Sequence, residues 1–301
     1  MADSRPVGRS RLDAVPPELL IVVGTLSVQF GGGLATTLIR EYGALQIVAL
    51  RIVLGAVMLV AFQRGRIRGA SRAALARCLV LGTILAVMNA LFYVAISRIP
   101  LGVAVTIEFS GPLTVAVLGS RRWLDLVWVV LAAAGIYILA GGRLEAGDLA
   151  GVAAALGAGI CWGLYIVTGR RVARDWPDGR GLTLAMVVAA VLIVPVALVG
   201  SDVRPMLAAP AALAGGVAIA LFSSAIPYSL EIAALRRLPA ATFGVLMSLE
   251  PAIAAGIGLL LLGQVLGIRD LAAIGFVAVA SAGASLSARH FAATPGELES
   301  T

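Results

Sequence analysis

The amino-acid sequence predicts an all-α integral membrane protein whose ten transmembrane helices form two inverted five-helix repeats. Of its 301 residues, 60% are hydrophobic and only 13% are charged, and the mean hydropathy is +1.01. Soluble domains are nearer half apolar and a quarter charged. The apolar runs are continuous and about 20 residues long, which is the length of an α-helix that crosses a bilayer. Strands of a membrane barrel would instead alternate apolar and polar residues.

Ten such runs follow one another along the chain, separated by charged residues, proline or glycine. A single soluble core cannot bury this much apolar surface, because cores stop growing near about 250–300 residues. In lipid every backbone polar group must pair within the protein, and a helix meets that requirement. The predicted spans, in order, are about 18–39, 44–62, 78–97, 101–119, 123–141, 149–169, 181–200, 208–232, 240–262 and 270–288.

The basic residues predict the orientation of these spans. The net charge is +7, and all 23 basic residues are arginine. If the N-terminus lies inside, 17 arginines fall on the inner side, 5 fall on the outer side and Arg51 lies within a span. Because cytoplasmic loops carry the excess of basic residues, both termini are predicted to be cytoplasmic. Basic charge spread over short loops also argues against a nucleic-acid partner, which requires a clustered basic face.

A weak internal repeat relates the two halves of the chain. An offset of 139 residues aligns Arg98-Ile99-Pro100 with Arg237-Leu238-Pro239 and Pro112 with Pro251. A unit of five spans inserts in opposite orientations in its two copies, which is the inverted-repeat plan of many secondary transporters. The predicted parts are a cytoplasmic tail over 1–17, a first repeat over 18–142, a second repeat over 143–288 and a cytoplasmic tail over 289–301.

Four charged residues fall within predicted spans, where an ionised side chain is costly and calls for a partner or a function. At 1.5 Å of rise per residue, Arg51 and Glu108 both lie about 10 Å below the outer end of their spans. Glu250 lies about 15 Å deep, near the bilayer centre, and Glu231 lies near the inner end of its span. These four residues are therefore candidates for a substrate and proton pathway.

Each candidate also has a purely structural interpretation. Arg51 and Glu108 would either lock two helices together as an ion pair or face a cavity and bind a charged substrate group. Glu250 would be either a protonated, hydrogen-bonded carboxyl or a proton carrier, because burial disfavours the charged form of a carboxyl group. Glu231 would pair with Arg236 or extend toward the interface.

The helices that carry these charges also contain predicted breaks. Proline frees a backbone carbonyl, which a membrane helix tolerates where the freed group lines a cavity. The predicted breaks are at Gly32, Pro112, Pro227 and Pro251, where Gly32 is the centre of a Gly-Gly-Gly run that permits either a close helix contact or an unwound turn. The remaining polar and aromatic pathway candidates at membrane depth are Gln29, Asn89, Tyr93, Trp162, Tyr165 and Tyr228.

No residue pattern in the chain supports catalysis or a resident cofactor. Without a lysine the chain has no Walker motif, and no His-Cys cluster predicts a metal site. Cys78 and Cys161 are interpreted as small packing residues, and the lone His290 falls in the C-terminal tail. An enzyme would need acid, base or metal groups gathered on one membrane face, whereas these charges are spread over several depths. We therefore predict no enzymatic activity, no cofactor and no metal.

Several of these segments resemble the EamA-type domain pair of the drug/metabolite transporter superfamily. The segments are RIPLGVAVTIEFSGPLTVAVLGSRRWLD (98–125), SSAIPYSLEIAALRRLP (223–239) and SLEPAIAAGIGLLLLG (248–263), and within the superfamily they are most similar to the threonine/homoserine exporter subfamily. The likeness covers about 20–288. One departure is Gln264, at a position where the subfamily commonly has glutamate.

The resemblance implies a multi-pass protein of the bacterial inner membrane that exports small hydrophilic amino acids in exchange for protons. Its partners would be an amino acid, protons and the surrounding lipid, and the sequence leaves a homodimer open. Two alternatives remain at this point. The first is transport of another metabolite or a drug, because one transporter fold serves many solutes. The second is a membrane scaffold without transport, or a membrane-embedded enzyme.

Overall fold

The computed structural model describes an all-helical chain. The described residues are 15–62, 71–119, 125–140, 146–176, 179–199, 202–227, 230, 234, 237–238 and 246–292. Within these ranges no residue is in a β-strand. The predicted all-α class is therefore confirmed for the part of the chain that the structure describes.

Twelve α-helices and one π-helical segment have bounds within the described residues. They are α1 (Pro17–Tyr42), α2 (Ala44–Phe62), α3 (Arg72–Ile96), α4 (Leu101–Glu108), α5 (Ser110–Gly119), α6 (Asp125–Ala140), α7 (Ala146–Asp175), α8 (Arg180–Leu198), α9 (Arg204–Ala208), α10 (Pro210–Ala220), the π-helical segment (Leu221–Ala225), α11 (Glu250–Leu262) and α12 (Ile268–Ala292). Five of them, α1, α2, α3, α7 and α8, are long and apolar enough to cross a membrane. Shorter apolar helices occur at Leu101–Val115, Pro210–Ala225 and Glu250–Leu262.

A tight turn between α1 and α2 sets where α2 begins, and so how far along the helix Arg51 lies. Gly43 has a φ of 88°, which glycine adopts without strain, and its N–H donates to the Ile39 carbonyl at 2.8 Å. Helix α2 begins at the next residue, Ala44. Arg51 therefore lies two turns into α2, about 10 Å from its start.

The helices of the N-terminal half pack mainly against helices of the C-terminal half. Helix α1 lies against α11, α10 and the π-helical segment, while α7 lies against α3, α4 and α5. Helix α2 packs between α8 and α10, α3 also packs on α8, α4 packs on α11, and α6 packs on α12. The two halves are thus interleaved.

Backbones come into direct contact where α7 crosses the junction of α4 and α5. A Cβ atom added at Gly159 would lie 2.7 Å from the Glu108 carbonyl oxygen and 3.0 Å from Ser110 Oγ. A Cβ atom at Gly111 would meet the Gly159 carbonyl oxygen. Small residues are what allow membrane helices to approach this closely.

We expect Gly159→Ala to destabilise the protein by about 1–3 kcal/mol, because the added methyl group overpacks this contact. Gly169→Ala on the same helix is the matched control, since nothing lies within 4 Å of a Cβ atom there. Thermal unfolding of the purified protein in detergent measures both variants. Equal unfolding temperatures for the two variants would show that α7 does not meet the α4–α5 junction at Gly159.

Candidate functional site

Two of the predicted pathway residues contact the guanidinium of a third, Arg51. Its Nη1 donates to Asn89 Oδ1 at 3.0 Å and to the Tyr93 hydroxyl at 3.4 Å. The guanidinium carbon also lies 5.6 Å from the centre of the Tyr93 ring, within cation–π range. Asn89 and Tyr93 are one turn apart on α3, and the Asn89 amide is itself held by the Leu85 carbonyl at 2.8 Å. Two side chains of α3 thus position the guanidinium of Arg51 on α2.

The other partner of Arg51 is a backbone carbonyl that a proline leaves without its usual donor. Pro227 has no N–H, so it cannot make an α-helical bond to the Ser223 carbonyl, four residues before it, or a π-helical bond to the Phe222 carbonyl, five residues before it. Arg51 Nη2 donates to the Ser223 carbonyl at 3.1 Å, and Ser27 Oγ donates to the Phe222 carbonyl at 2.7 Å. Both carbonyls lie in the π-helical segment directly before the predicted break at Pro227.

Two further helix irregularities lie three residues before a proline. Helix α4 ends at Glu108 and α5 begins at Ser110, with Phe109 as a turn between them and Pro112 three residues on. Because Pro112 has no N–H, the Glu108 carbonyl receives no α-helical bond from it.

The second irregularity has the same form. Ser248 and Leu249 form a turn, and α11 starts at Glu250 with Pro251 in its first turn. Both buried acids therefore lie at helix ends beside prolines that interrupt the backbone ladder.

The two acids are almost fully enclosed. Glu250 is 6% exposed and Glu108 is 9% exposed. Gln29 of α1, 2% exposed, donates from Nε2 to Glu250 Oε1 at 2.9 Å. Glu108 lies close enough to both Glu250 and Arg51 for their charges to act on its carboxyl group. One cation and two acids from three different helices thus lie within range of one another's charges, with Gln29 of a fourth helix hydrogen-bonded to one of the acids.

The alternative in which Arg51 and Glu108 form an ion pair has no direct contact to support it. Among the residues that the structure describes, no ion pair or hydrogen bond joins the two side chains. The described partners of Arg51 are neutral: an amide, a phenol and a backbone carbonyl. Neutral groups therefore position the guanidinium, and no described carboxylate contacts it.

The expected helix break at Gly32 is corrected by the structure. Helix α1 runs without interruption from Pro17 to Tyr42. The glycines instead allow close contact, because a Cβ atom at Gly31 would meet Ser223 Oγ and one at Gly33 would lie 2.9 Å from Ile257 Cγ2. In lipid an unwound turn would leave backbone groups without partners, so the helix is retained and the missing side chains admit its neighbours.

An aromatic residue of α7 packs against the turn that follows Glu108. The Trp162 ring packs edge-on against Phe109, with centroids 5.2 Å apart and planes at 89°. Tyr165, three residues further along α7, is partly buried. Trp162 thus braces the turn that follows Glu108. The predicted residues Tyr228 and Glu231 lie outside the described residues.

Sequence reasoning missed Ser27 and the acceptor role of the carbonyls of Phe222 and Ser223. A signal for the carbonyls was present in the sequence, because Pro227 lies four and five residues beyond them. No such signal pointed to Ser27. It contacts the π-helical segment only because α1 packs there, 195 residues away along the chain.

Chemically, the region offers a fixed cation and two carboxyl groups within range of its charge or of each other's. A guanidinium binds a carboxylate through two parallel hydrogen bonds. A carboxylate binds an ammonium group or a proton. A small zwitterion carries both a carboxylate for the guanidinium and an ammonium group for a carboxyl group.

Comparisons with known proteins place the chain among transporters. Residues 149–286 match the model of the EamA-like transporter family. The chain is 41% identical to the threonine/homoserine exporter RhtA of Escherichia coli strain K12, over 91% of this chain and 92% of that protein. It is 42% identical to the threonine/homoserine exporter RhtA of Salmonella typhimurium strain SL1344, over 95% and 96%.

A solved crystal structure shares the fold at low sequence identity. It matches with a TM-score of 0.62 and 18% identity, covering 91% of this chain and 98% of that chain.

Proposed function

The chain belongs to the EamA-like transporter family, and from this membership we propose that it exports small hydrophilic amino acids such as threonine and homoserine. The export would be across the bacterial inner membrane, in exchange for protons and by alternating access. The relatives named as threonine/homoserine exporters match over more than nine-tenths of the chain. The single observation that carries the mechanism is that the enclosed carboxyl group of Glu108 lies within range of the charges of Arg51 and Glu250.

In this proposal Arg51 binds the carboxylate of the amino acid. The groups described as hydrogen-bonded to its guanidinium are all neutral, and no described carboxylate contacts it. The positive charge of Arg51 is therefore available to a substrate. A guanidinium held by side chains of α3 and by a backbone carbonyl loses little conformational freedom when it binds. The affinity then comes from a charge-assisted contact in surroundings of low dielectric constant.

The carboxyl groups serve the ammonium group of the substrate and the counter-transported proton. Two buried carboxylates near each other repel when both are ionised, so one proton or one ammonium group stabilises the pair. A proton and an ammonium group then compete for the same carboxyl oxygens. Because binding of one displaces the other, the outward passage of an amino acid is coupled to the inward passage of a proton.

The pattern of helix contacts supports two structurally related repeats. In the proposed repeat, α1 corresponds to α7, α3 to α10, and α4–α5 to α11. The contact of α1 with α11 then corresponds to that of α7 with α4–α5, and the contact of α1 with α10 corresponds to that of α7 with α3. If α2 also corresponds to α8, the contact of α3 with α8 corresponds to that of α10 with α2. The helix turns at Phe109 and Ser248 are 139 residues apart, the offset found in the sequence. The family model also matches 149–286, within the proposed second repeat.

The proposed topology places both termini in the cytoplasm and the shared site between the two halves. The arginine distribution supports this orientation through the preference of cytoplasmic loops for basic residues. Outward-facing apolar side chains such as Val130, Val191 and Leu260 are strongly exposed, which suits lipid as the surrounding solvent. Rocking of one half against the other would open the site to each side in turn.

The proposal is tested in bacterial cells that lack their own threonine exporters. Cells that express the chain should release threonine and homoserine faster than cells with an empty vector, and should grow at higher inhibitory concentrations of both. Release of neither amino acid, with the protein present in the inner membrane, would contradict the proposed substrates. The search would then turn to other metabolites or drugs of the same family.

A further inference from the structure

A polar cavity lies at the end of the bundle where α1 finishes and α4 begins. Its volume is about 220 Å³, and Arg40, Arg98, Thr36, Ser97 and Gln264 are among the residues that line it. Arg40 is in the last turn of α1, and Arg98 is in the turn between α3 and α4. In the proposed topology this end faces the outer solution.

The charge of this cavity is positive and without a described counter-ion. Neither Arg40 nor Arg98 has an ion pair or side-chain hydrogen bond among the residues that the structure describes. No acidic side chain is among the lining residues. Arg237, which occupies the equivalent place in the second Arg-x-Pro motif, instead donates to the Val15 carbonyl at 2.7 Å. Two arginines facing one cavity favour an anionic ligand.

The remaining polar groups of the cavity are fixed in place. Gln264 Oε1 accepts the N–H of Leu101, the first residue of α4, at 3.0 Å. The neutral amide thus takes a bond that a carboxylate would also make, but adds no negative charge. The N-terminal end of α4, which carries partial positive charge, also lies at this cavity. A second, independent feature therefore adds to the positive potential of the two arginines.

Helix α4 runs from this cavity to the enclosed acid Glu108. It begins at Leu101 beside Gln264 and ends at Glu108, so its two ends are about 10 Å apart. An amino acid that leaves the buried site along α4 would reach the cavity within one short helix length.

We propose that this cavity is a carboxylate-binding subsite, occupied by an amino acid between the buried site and the outer solution. The two guanidinium groups hold the carboxylate, and the hydroxyl-bearing side chains Thr36 and Ser97 border it. The inference rests on the proposed function for the identity and direction of the substrate. The binding site itself rests on the two arginines, the cavity and Gln264.

The experiment measures the reactivity of a cysteine introduced as Ser97→Cys, in purified full-length protein with Cys161→Ala. The same protein with serine at position 97 gives the background from buried Cys78. A negatively charged methanethiosulfonate reagent should react faster than a positively charged one. Arg98→Gln should slow the negative reagent by about threefold or more, as expected for the loss of one nearby charge. Gln264→Glu should slow it similarly, whereas Arg204→Gln, an exposed arginine outside the cavity, should leave it unchanged.

Protection experiments identify the ligand. L-threonine should protect the introduced cysteine, and threoninol, which lacks the carboxylate, should not. Equal protection by threoninol, no protection by threonine, or protection by inorganic phosphate as good as that by threonine would overturn the proposal. Because this assay needs no transport, threonine flux without protection would contradict the subsite alone. Protection without flux would contradict the proposed function alone.

Discussion

Replacement of Arg51 by glutamine is expected to lower threonine transport by about a hundredfold or more. Removal of one member of a buried charge pair costs about 3–5 kcal/mol, and each 1.4 kcal/mol is a factor of ten in affinity. In our account the lost partner is the substrate carboxylate, so the defect arises on binding. The measurement is the initial rate of threonine exchange in proteoliposomes over a range of threonine concentrations.

Two controls separate this role from a structural one. Arg51 also ties α2 to α3 and to the π-helical segment, so its loss could loosen the bundle. Ser27→Ala removes another side-chain bond to that segment, at the Phe222 carbonyl, without changing any charge. Arg51→Lys keeps the charge but loses the planar two-point contact, and we expect intermediate transport. Equal losses in Ser27→Ala and Arg51→Gln would assign Arg51 a structural role only.

Glu250→Gln is expected to abolish transport driven by a pH gradient while leaving the protein folded in the membrane. Glutamine still accepts the hydrogen bond from Gln29, so the contact between α1 and α11 is retained. It cannot bind or release a proton, so the coupling step fails. The measurement compares threonine flux with and without an imposed gradient, with thermal unfolding as the check on folding.

Glu108→Gln is the matched variant, since it neutralises the other enclosed acid at an equivalent helix junction. Loss of coupling in both variants would mean that the two carboxyl groups act as a pair. Loss in Glu108→Gln alone, with normal coupling in Glu250→Gln, would remove Glu250 from the proton pathway.

The sequence predicted the elements better than their contacts. Apolar runs of about 20 residues indicate helices because the bilayer sets their length, and described helix occurs within each of the ten predicted spans. Pro112 and Pro251 lie three residues after the observed turns because a proline cannot donate to the residue four before it. These effects are local, so a single sequence carries them.

The pairing of side chains between helices could not be predicted in the same way. Gln29 and Glu250 were both candidates, but their hydrogen bond joins residues 221 positions apart and depends on how α1 packs against α11. The position of Arg51 against Asn89 and Tyr93 depends likewise on the packing of α2 on α3. Gly32 was wrongly expected to break its helix, because propensities measured in water overstate the effect of glycine where backbone groups must pair.

The most direct test of the account is threonine and homoserine flux in proteoliposomes of the purified protein, with and without an imposed pH gradient. We predict saturable flux of both amino acids that a pH gradient accelerates in the direction opposite to proton movement. Saturable flux at the same rate with and without the pH gradient would contradict proton antiport. No flux of either amino acid, in vesicles that hold folded protein, would contradict the proposed amino acid export.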